Sequence, residues 1–195
     1  MTGGVDLLIT GFGPFPGIPV NPSATLAQRI ADDRRLKRAG LSVAVRLIPT
    51  EYAAAEALIP AMVAALRPRA VLMLGVASKR KALSVELFAR NRRSLLHADA
   101  AGKRPTRRVV APFGPRVLKG RAPMVPAVIA AQRAGMPTRL SRSAGSYLCN
   151  DGYWRMLAAT AGPCLFLHIP RVKGRAMMLR LTDASVAVAR LLARR

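Results

Sequence analysis

The chain has 195 residues, 51% of them hydrophobic, which suits one ordinary domain with a real core and leaves too little for two full-sized ones. That composition excludes wholesale disorder and collagen-like repeats. Thirty-two Lys and Arg against nine Asp and Glu leave a formal charge of +23, which repels itself in the folded state and attracts polyanions, so it narrows partners rather than fold.

Val5–Thr10 is a short apolar run ending in Gly-Phe-Gly-Pro, the pattern of a buried strand entering a loop. Asn21-Pro22-Ser23 then sets a cap residue before a proline, and Ala24–Lys37 follows with helical spacing. Leu41–Ile48 alternates and is rich in β-branched residues, predicting a second strand, and the alanine-rich Glu51–Leu66 predicts a helix. Ala70–Val76 is wholly apolar, as expected of a strand covered on both faces. Ser84–Arg90 alternates as another strand, and Arg92–Arg121, rich in Arg, Pro and Gly, predicts irregular structure. Pro123–Ala134 and Tyr147–Thr160 are predicted helices, Cys164–His168 a strand, and Thr182–Leu192 a closing amphipathic helix. Strands alternating with helices predict a single α/β domain over 1–195, three layers deep, around a mostly parallel central sheet. In such sheets sites gather where strands end, here near Phe12, Pro49, Gly75, Glu86 and His168.

The only two cysteines, Cys149 and Cys164, do not make a secreted disulfide scaffold. With two histidines, His97 and His168, and no Cys-x-x-Cys, they do not assemble a structural zinc site. Met1-Thr2-Gly3-Gly4 lacks the basic lead-in of a signal peptide. Ala53–Leu66, interrupted by Glu56 and Pro60, is shorter than the ~20 residues a bilayer span needs. The expectation is a soluble cytoplasmic protein with free thiols. Gly11-x-Gly13 is not a dinucleotide fingerprint, because Pro16 stands where the third glycine belongs.

Three side chains stand out by chemistry. Cys149 follows a small-residue turn into a predicted helix, where the positive end of the helix dipole should lower its pKa. His168 ends a predicted strand and could exchange a proton with that thiol. Glu86 sits in an apolar alternating strand, where burial is costly without a partner such as an imidazole. Each also has a plainer reading: a small buried hydrophobe, a strand-end residue bonded to backbone, and a carboxylate that faces solvent or partners Lys79, Arg80 or Lys81.

Three separated segments resemble the pyroglutamyl peptidase I (pyrrolidone-carboxylate peptidase) family of cysteine peptidases. Thr10-Gly11-Phe12-Gly13-Pro14-Phe15 with Asn21-Pro22-Ser23 is similar to its first block. Gly75-Val76-Ala77, Arg80, Val85-Glu86 and Ala89-Arg90-Asn91 resemble its second. Ser143-Ala144-Gly145-Ser146-Tyr147-Leu148-Cys149-Asn150 and His168-Ile169-Pro170 resemble its nucleophile and histidine blocks. The resemblance implies Cys149 as nucleophile, His168 as general base and acid, and Glu86 as the residue that orients His168. It implies removal of an N-terminal pyroglutamyl residue through a thioester, with neither metal nor cofactor. Phe12, Phe15, Tyr147 and Leu148 would wall the apolar pocket for the lactam ring, and backbone N–H groups around Cys149 would stabilise the oxyanion. Partners would be small peptides and, since the family commonly forms tetramers, further copies of the chain.

Val76-Ala77-Ser78-Lys79 departs from the family's pattern of a hydrogen-bonding residue followed by Ala-Gly-Gly, and the stretch after Asn91 departs as well. A relative that hydrolyses a different N-terminal acyl or amide group, or one of weak activity, is therefore the alternative. Thirteen Lys and Arg between Lys79 and Arg121 face only Glu86 and Asp99, which raises steering of acidic peptides and, as a rival, nucleic-acid binding. Against the rival, aromatic residues make up 5% of the chain, leaving few stacking platforms, and no nucleic-acid motif is present. Cys164 and His97 receive no role.

Overall fold

The computed structural model describes residues 4–15 and 17–194. Met1–Gly3 and Pro16, which bore on the signal-peptide and dinucleotide readings, lie outside them. The chain opens with β1 (Leu7–Phe12), wholly buried, then α1 (Pro22–Ala31). Asn21 caps α1, its Oδ1 accepting from the Ser23 backbone N–H at 3.1 Å, with Pro22 at the first helical position. The single helix expected over 24–37 is two. Asp33 accepts from the Arg35 N–H at 2.8 Å and starts a separate α2 (Arg34–Arg38), because a side-chain cap offers the backbone an alternative to continuing.

β2 (Val43–Ile48), α3 (Tyr52–Leu66) and β3 (Ala70–Val76) follow as expected. The strand expected over 84–90 breaks at Leu87 into β4 (Leu83–Glu86) and β5 (Phe88–Arg90), which belong to different sheets. The Leu87 N–H bonds to Ser141 O and its carbonyl to the Gly120 N–H, so the chain changes sheets at that residue. β6 (Val117–Lys119), inside the stretch expected to be irregular, pairs antiparallel with β5. Then come α4 (Met124–Arg133), β7 (Thr138–Ser141), α5 (Leu148–Ala159), β8 (Cys164–Ile169) and α6 (Gly174–Leu192), the last starting well before the expected Thr182.

The main sheet runs β2-β1-β3-β8-β4-β7, parallel throughout except where β4 meets β8. Strand register sorts its residues into two cores. Ile9, Leu72 and Leu165 align across β1, β3 and β8 and point toward α1, α4 and α6. Leu8, Val71 and Cys164 align on the opposite face, toward α3 and α5, with Met73 beside Phe166. Each large side chain fully buried this way contributes roughly 2 kcal/mol, and covering both faces explains why β1, β3 and β8 read as unbroken apolar runs. This is the three-layer α/β/α architecture expected. Among the described residues no helix is long and apolar enough to cross a membrane.

Candidate active site

Side chains two apart on a strand share a face. Cys164, Phe166 and His168 therefore all look toward α5, and so does Gly75, the register partner of His168 on β3. On the other side of β8, Glu86 is opposite Phe166 and Ser84 opposite His168. Glu86 thus lies diagonal to His168 on the same face, within reach of a long side chain. Because β4 runs against β8, Glu86 does not end at the sheet edge with His168, as a parallel reading of the strand ends suggests, but reaches it from beneath.

The Nδ1–H of His168 donates to Glu86 Oε1 at 2.7 Å. Arg80, in the turn between β3 and β4, donates from Nη1 to the same oxygen at 2.5 Å and from Nη2 to Ser143 O at 2.8 Å. A carboxylate bonded by both groups is the acceptor of both. That fixes the imidazole tautomer and leaves Nε2 as its free acceptor. The plainer reading of Glu86, as a partner for Arg80, holds together with the orienting one. Glu86 is fully buried and His168 nearly so. Burial is the largest influence on His168 and pulls its pKa below the ordinary imidazole value, against the Glu86 hydrogen bond and charge that raise it.

Cys149 is in the first turn of α5. Gly145, at φ +85°, turns the chain into the helix in a conformation that a side chain would strain. Tyr147 is the N-cap in extended geometry, and no side chain caps this end, so the N–H groups of the first turn remain directed out of the helix beside the thiol. A Cβ built on Gly75 would sit 2.9 Å from Cys149 Sγ and 2.7 Å from Phe166 Cζ. The sulfur therefore rests over the β3 position adjoining His168, and neighbouring strands are about 4.8 Å apart. Thiol and imidazole are neighbours on one sheet face. Burial, reinforced by the Glu86 charge and opposed by Arg80, pushes the thiol up to about 12, so its pKa is raised where the helix dipole alone predicts a lowering.

The close approach at Gly75 has a direct consequence. Gly75→Ala is expected to lower unfolding stability by about 2 kcal/mol, the usual cost of overpacking a tight site. Chemical denaturation measures it, and a loss under about 0.5 kcal/mol would show that the sulfur and the Phe166 ring yield easily.

The four expected pocket walls meet around this thiol. Phe12, Phe15, Tyr147 and Leu148 line one cavity of about 60 Å³ with Cys149, Asn21, Thr50 and Val76. The space is small, which suits a compact ring rather than an extended side chain. Asn21 Nδ2 and Thr50 Oγ1 each donate to Gly13 O at 2.9 Å, fixing the loop that carries Phe15. Past Phe15, Val76 and Tyr147 the cavity opens into an outer cleft of about 700 Å³, which Lys79, Arg80, Leu96 and His97 also line. His97 is exposed, its ring edge-on to Tyr147 at 6.1 Å, while Cys164 is wholly buried at the start of β8.

Sequence reasoning passed over two residues that hold this arrangement together. Arg80 entered as a motif position and as one of three possible partners of Glu86, and turns out to join Glu86 to the turn before α5. Buried Asn150 accepts from the Arg90 N–H at 2.8 Å and donates to Arg90 O at 2.8 Å and Arg92 O at 2.9 Å, tying the α5 N-terminus to β5. For Asn150 the motif position was the only available signal.

A three-layer sheet with a buried carboxylate–imidazole pair, and a helix-terminal cysteine over the neighbouring strand, has the parts of a hydrolase with a thiol nucleophile. A sequence profile of the pyroglutamyl peptidase family matches residues 5–189, and the chain belongs to that family of cysteine peptidases. The pyrrolidone-carboxylate peptidase of Gloeobacter violaceus is 34% identical over 175 residues, 88% of this chain and 84% of the relative. That of Mycobacterium tuberculosis is 34% identical over 174 residues, 84% and 76% of the two chains. The crystal structure of pyrrolidone carboxyl peptidase from Thermus thermophilus superposes with a TM-score of 0.84 at 29% identity, covering 95% of this chain and 99% of that one.

Proposed function

We propose that this protein is a cysteine peptidase that removes N-terminal pyroglutamyl residues from peptides, with Cys149, His168 and Glu86 as its triad. The observation that carries the proposal is the single small cavity in which Phe12, Phe15, Tyr147 and Leu148 surround Cys149, with the bonded Glu86–His168 pair on the adjoining strand. The substrate's lactam ring lies among the aromatic walls. Thr50 Oγ1, its proton given to Gly13 O, keeps lone pairs that can accept the lactam N–H. Cys149 Sγ attacks the carbonyl carbon of the scissile amide while its proton passes to His168 Nε2. The N–H groups of the first α5 turn face the developing oxyanion. His168 returns the proton to the leaving amine, the C–N bond breaks, and a thioester remains. Water, deprotonated by the same imidazole, then releases pyroglutamate and the thiol.

Hydrolysis of pyroglutamyl aminomethylcoumarin tests this reading. With His168 below its ordinary value of about 6.5 and the thiol far above neutrality, the base is available through the neutral range. Protonation removes it as pH falls through the His168 value, so kcat/KM should be flat from about pH 7 to 9 and fall on an acid limb centred below about 6.5. An acid limb above about pH 7, or no hydrolysis at any pH, contradicts the proposal.

One observation favours a second reading. Val76 lines the cavity where the family's pattern has a hydrogen-bonding residue, so another small N-terminal acyl group could be the true occupant. Acetyl, prolyl and pyroglutamyl amides of the same fluorophore, compared directly, separate the two.

A further inference from the structure

The outer cleft differs in character from the inner cavity. Its charged lining is Lys79 and Arg80, with His97 beside them, and no Asp or Glu lines either space among the described residues. Arg80 is engaged with Glu86 and Ser143 O. Lys79 is exposed on one wall and has no carboxylate within ion-pair distance among the described residues, and His97 is exposed on the other, offering a ring N–H donor. The wall bearing His97 is fixed in place. The Ser94 N–H bonds to Ser146 O at 2.7 Å, Tyr147 Oη donates to Ala98 O at 2.8 Å, and the Ala100 N–H bonds to Thr50 O at 2.8 Å. The Lys79 wall is held through the Ala77 N–H on Ile169 O and the Arg80 N–H on Ala77 O, both at 2.9 Å. The cleft is therefore preformed, positive and continuous with the inner cavity at Phe15, Val76 and Tyr147.

Resting on the peptidase reading above, we propose that this cleft selects pyroglutamyl peptides carrying a carboxylate on the residue after the scissile bond. The carboxylate comes from an acidic side chain or from the free C-terminus of a pyroglutamyl dipeptide. Lys79 supplies the charge and His97 a hydrogen-bond donor, and Leu96, 79% exposed on the same wall, gives the peptide's apolar atoms a surface to cover. A partly exposed ion pair is worth about a fivefold effect and weakens with salt.

The test compares kcat/KM for four substrates: pyroglutamyl-alaninamide, pyroglutamyl-alanine, the α-amide of pyroglutamyl-glutamic acid, and pyroglutamyl-lysinamide. At low salt one or both carboxylate-bearing substrates should exceed the alaninamide by about fivefold, with the lysinamide below it. Gain in pyroglutamyl-alanine alone identifies the terminal carboxylate as the group bound, and gain in the glutamyl substrate alone identifies the side chain. Lys79→Glu should invert the glutamyl-to-lysyl ratio. Lys37→Glu, on α2 against α6 at the opposite sheet face, should leave the ratio unchanged, which separates the cleft from the overall +23 charge. Added salt should draw the wild-type ratio toward one, a readout that needs no variant. Equal kcat/KM across the set, a ratio untouched by Lys79→Glu or by salt, or an equal shift in Lys37→Glu overturns the inference. Alaninamide turnover without charge discrimination sinks the inference alone. No turnover of any pyroglutamyl substrate sinks the peptidase reading and the inference with it.

Discussion

Cys149→Ser is expected to lower kcat for pyroglutamyl amide hydrolysis by at least about 10⁴-fold, as loss of a nucleophile does when the rest of its triad is intact. A serine hydroxyl holds its proton more tightly than a thiol. Here the thiol itself is raised to about 12 by burial, so the same pocket disfavours an alkoxide at least as strongly. The substitution is nearly isosteric, and the melting temperature should move by no more than about 2 °C. Cys164 supplies an internal control. It is wholly buried, whereas Cys149 opens on the cavity, so iodoacetamide should modify one thiol per native wild-type chain and none in the variant. Turnover within tenfold of wild type, or labelling that persists in Cys149→Ser, would assign the chemistry elsewhere.

The architecture was readable in sequence to the extent that burial leaves a pattern. β1, β3 and β8 are covered on both faces, so their apolar runs announce them, and the parity of those strands is what puts Gly75 and His168 on the α5 side. β7 escaped the sequence reading for the opposite reason. Thr138-Arg139-Leu140-Ser141 is a four-residue edge strand after Pro137, half exposed, with no apolar signal to distinguish it from a loop. The break at Leu87 was hidden too, because alternation continues across it and only pairing with two different sheets divides β4 from β5. Asp32 and Asp33 look alike in the sequence, and only Asp33 starts a helix.

At the site, residue chemistry alone singled out a thiol, an imidazole and a carboxylate, and the motif blocks added the four pocket walls. What neither could supply was the use made of charge. Counted along the chain, the arginines after Lys79 look like one solvated surface. In the fold Arg80 is joined to Glu86, Arg93 bonds buried Asp151 and lies over the Tyr52 ring at 5.2 Å, and Arg121 donates to Leu157 O at 2.8 Å. Asp151 also accepts from Arg155 at 2.9 Å, two residues past the thiol on the same helix. The Arg93–Asp151 and Arg121–Leu157 contacts lie 58 and 36 residues apart in the chain, and no local spacing encodes them. They set Arg80, Arg93 and Arg121 apart as structural, while Lys79 stays exposed on the outer cleft.

The other large effect concerns Glu86. Glu86→Ala is expected to lower kcat by roughly 10³- to 10⁴-fold, because it removes the acceptor that holds the His168 tautomer. It also leaves the Arg80 guanidinium, largely covered, without its charge partner. Breaking such a pair from one side costs about 3 kcal/mol, which in a chain of this size lowers the melting temperature by roughly 6–12 °C. Lost activity in Glu86→Ala could therefore reflect structure alone, and Glu86→Gln separates the causes. The amide oxygen can still accept from both His168 Nδ1–H and Arg80, so orientation survives and only the negative charge is lost. Activity should return to within about 10- to 100-fold of wild type. The pH profile then reports the charge directly. Glu86 raises the His168 pKa against burial, so its neutralisation lets that value fall further, and the acid limb of kcat/KM should move to lower pH in Glu86→Gln. A variant that folds and turns over with its acid limb unmoved, or moved upward, would mean that Glu86 braces the fold without acting on the imidazole.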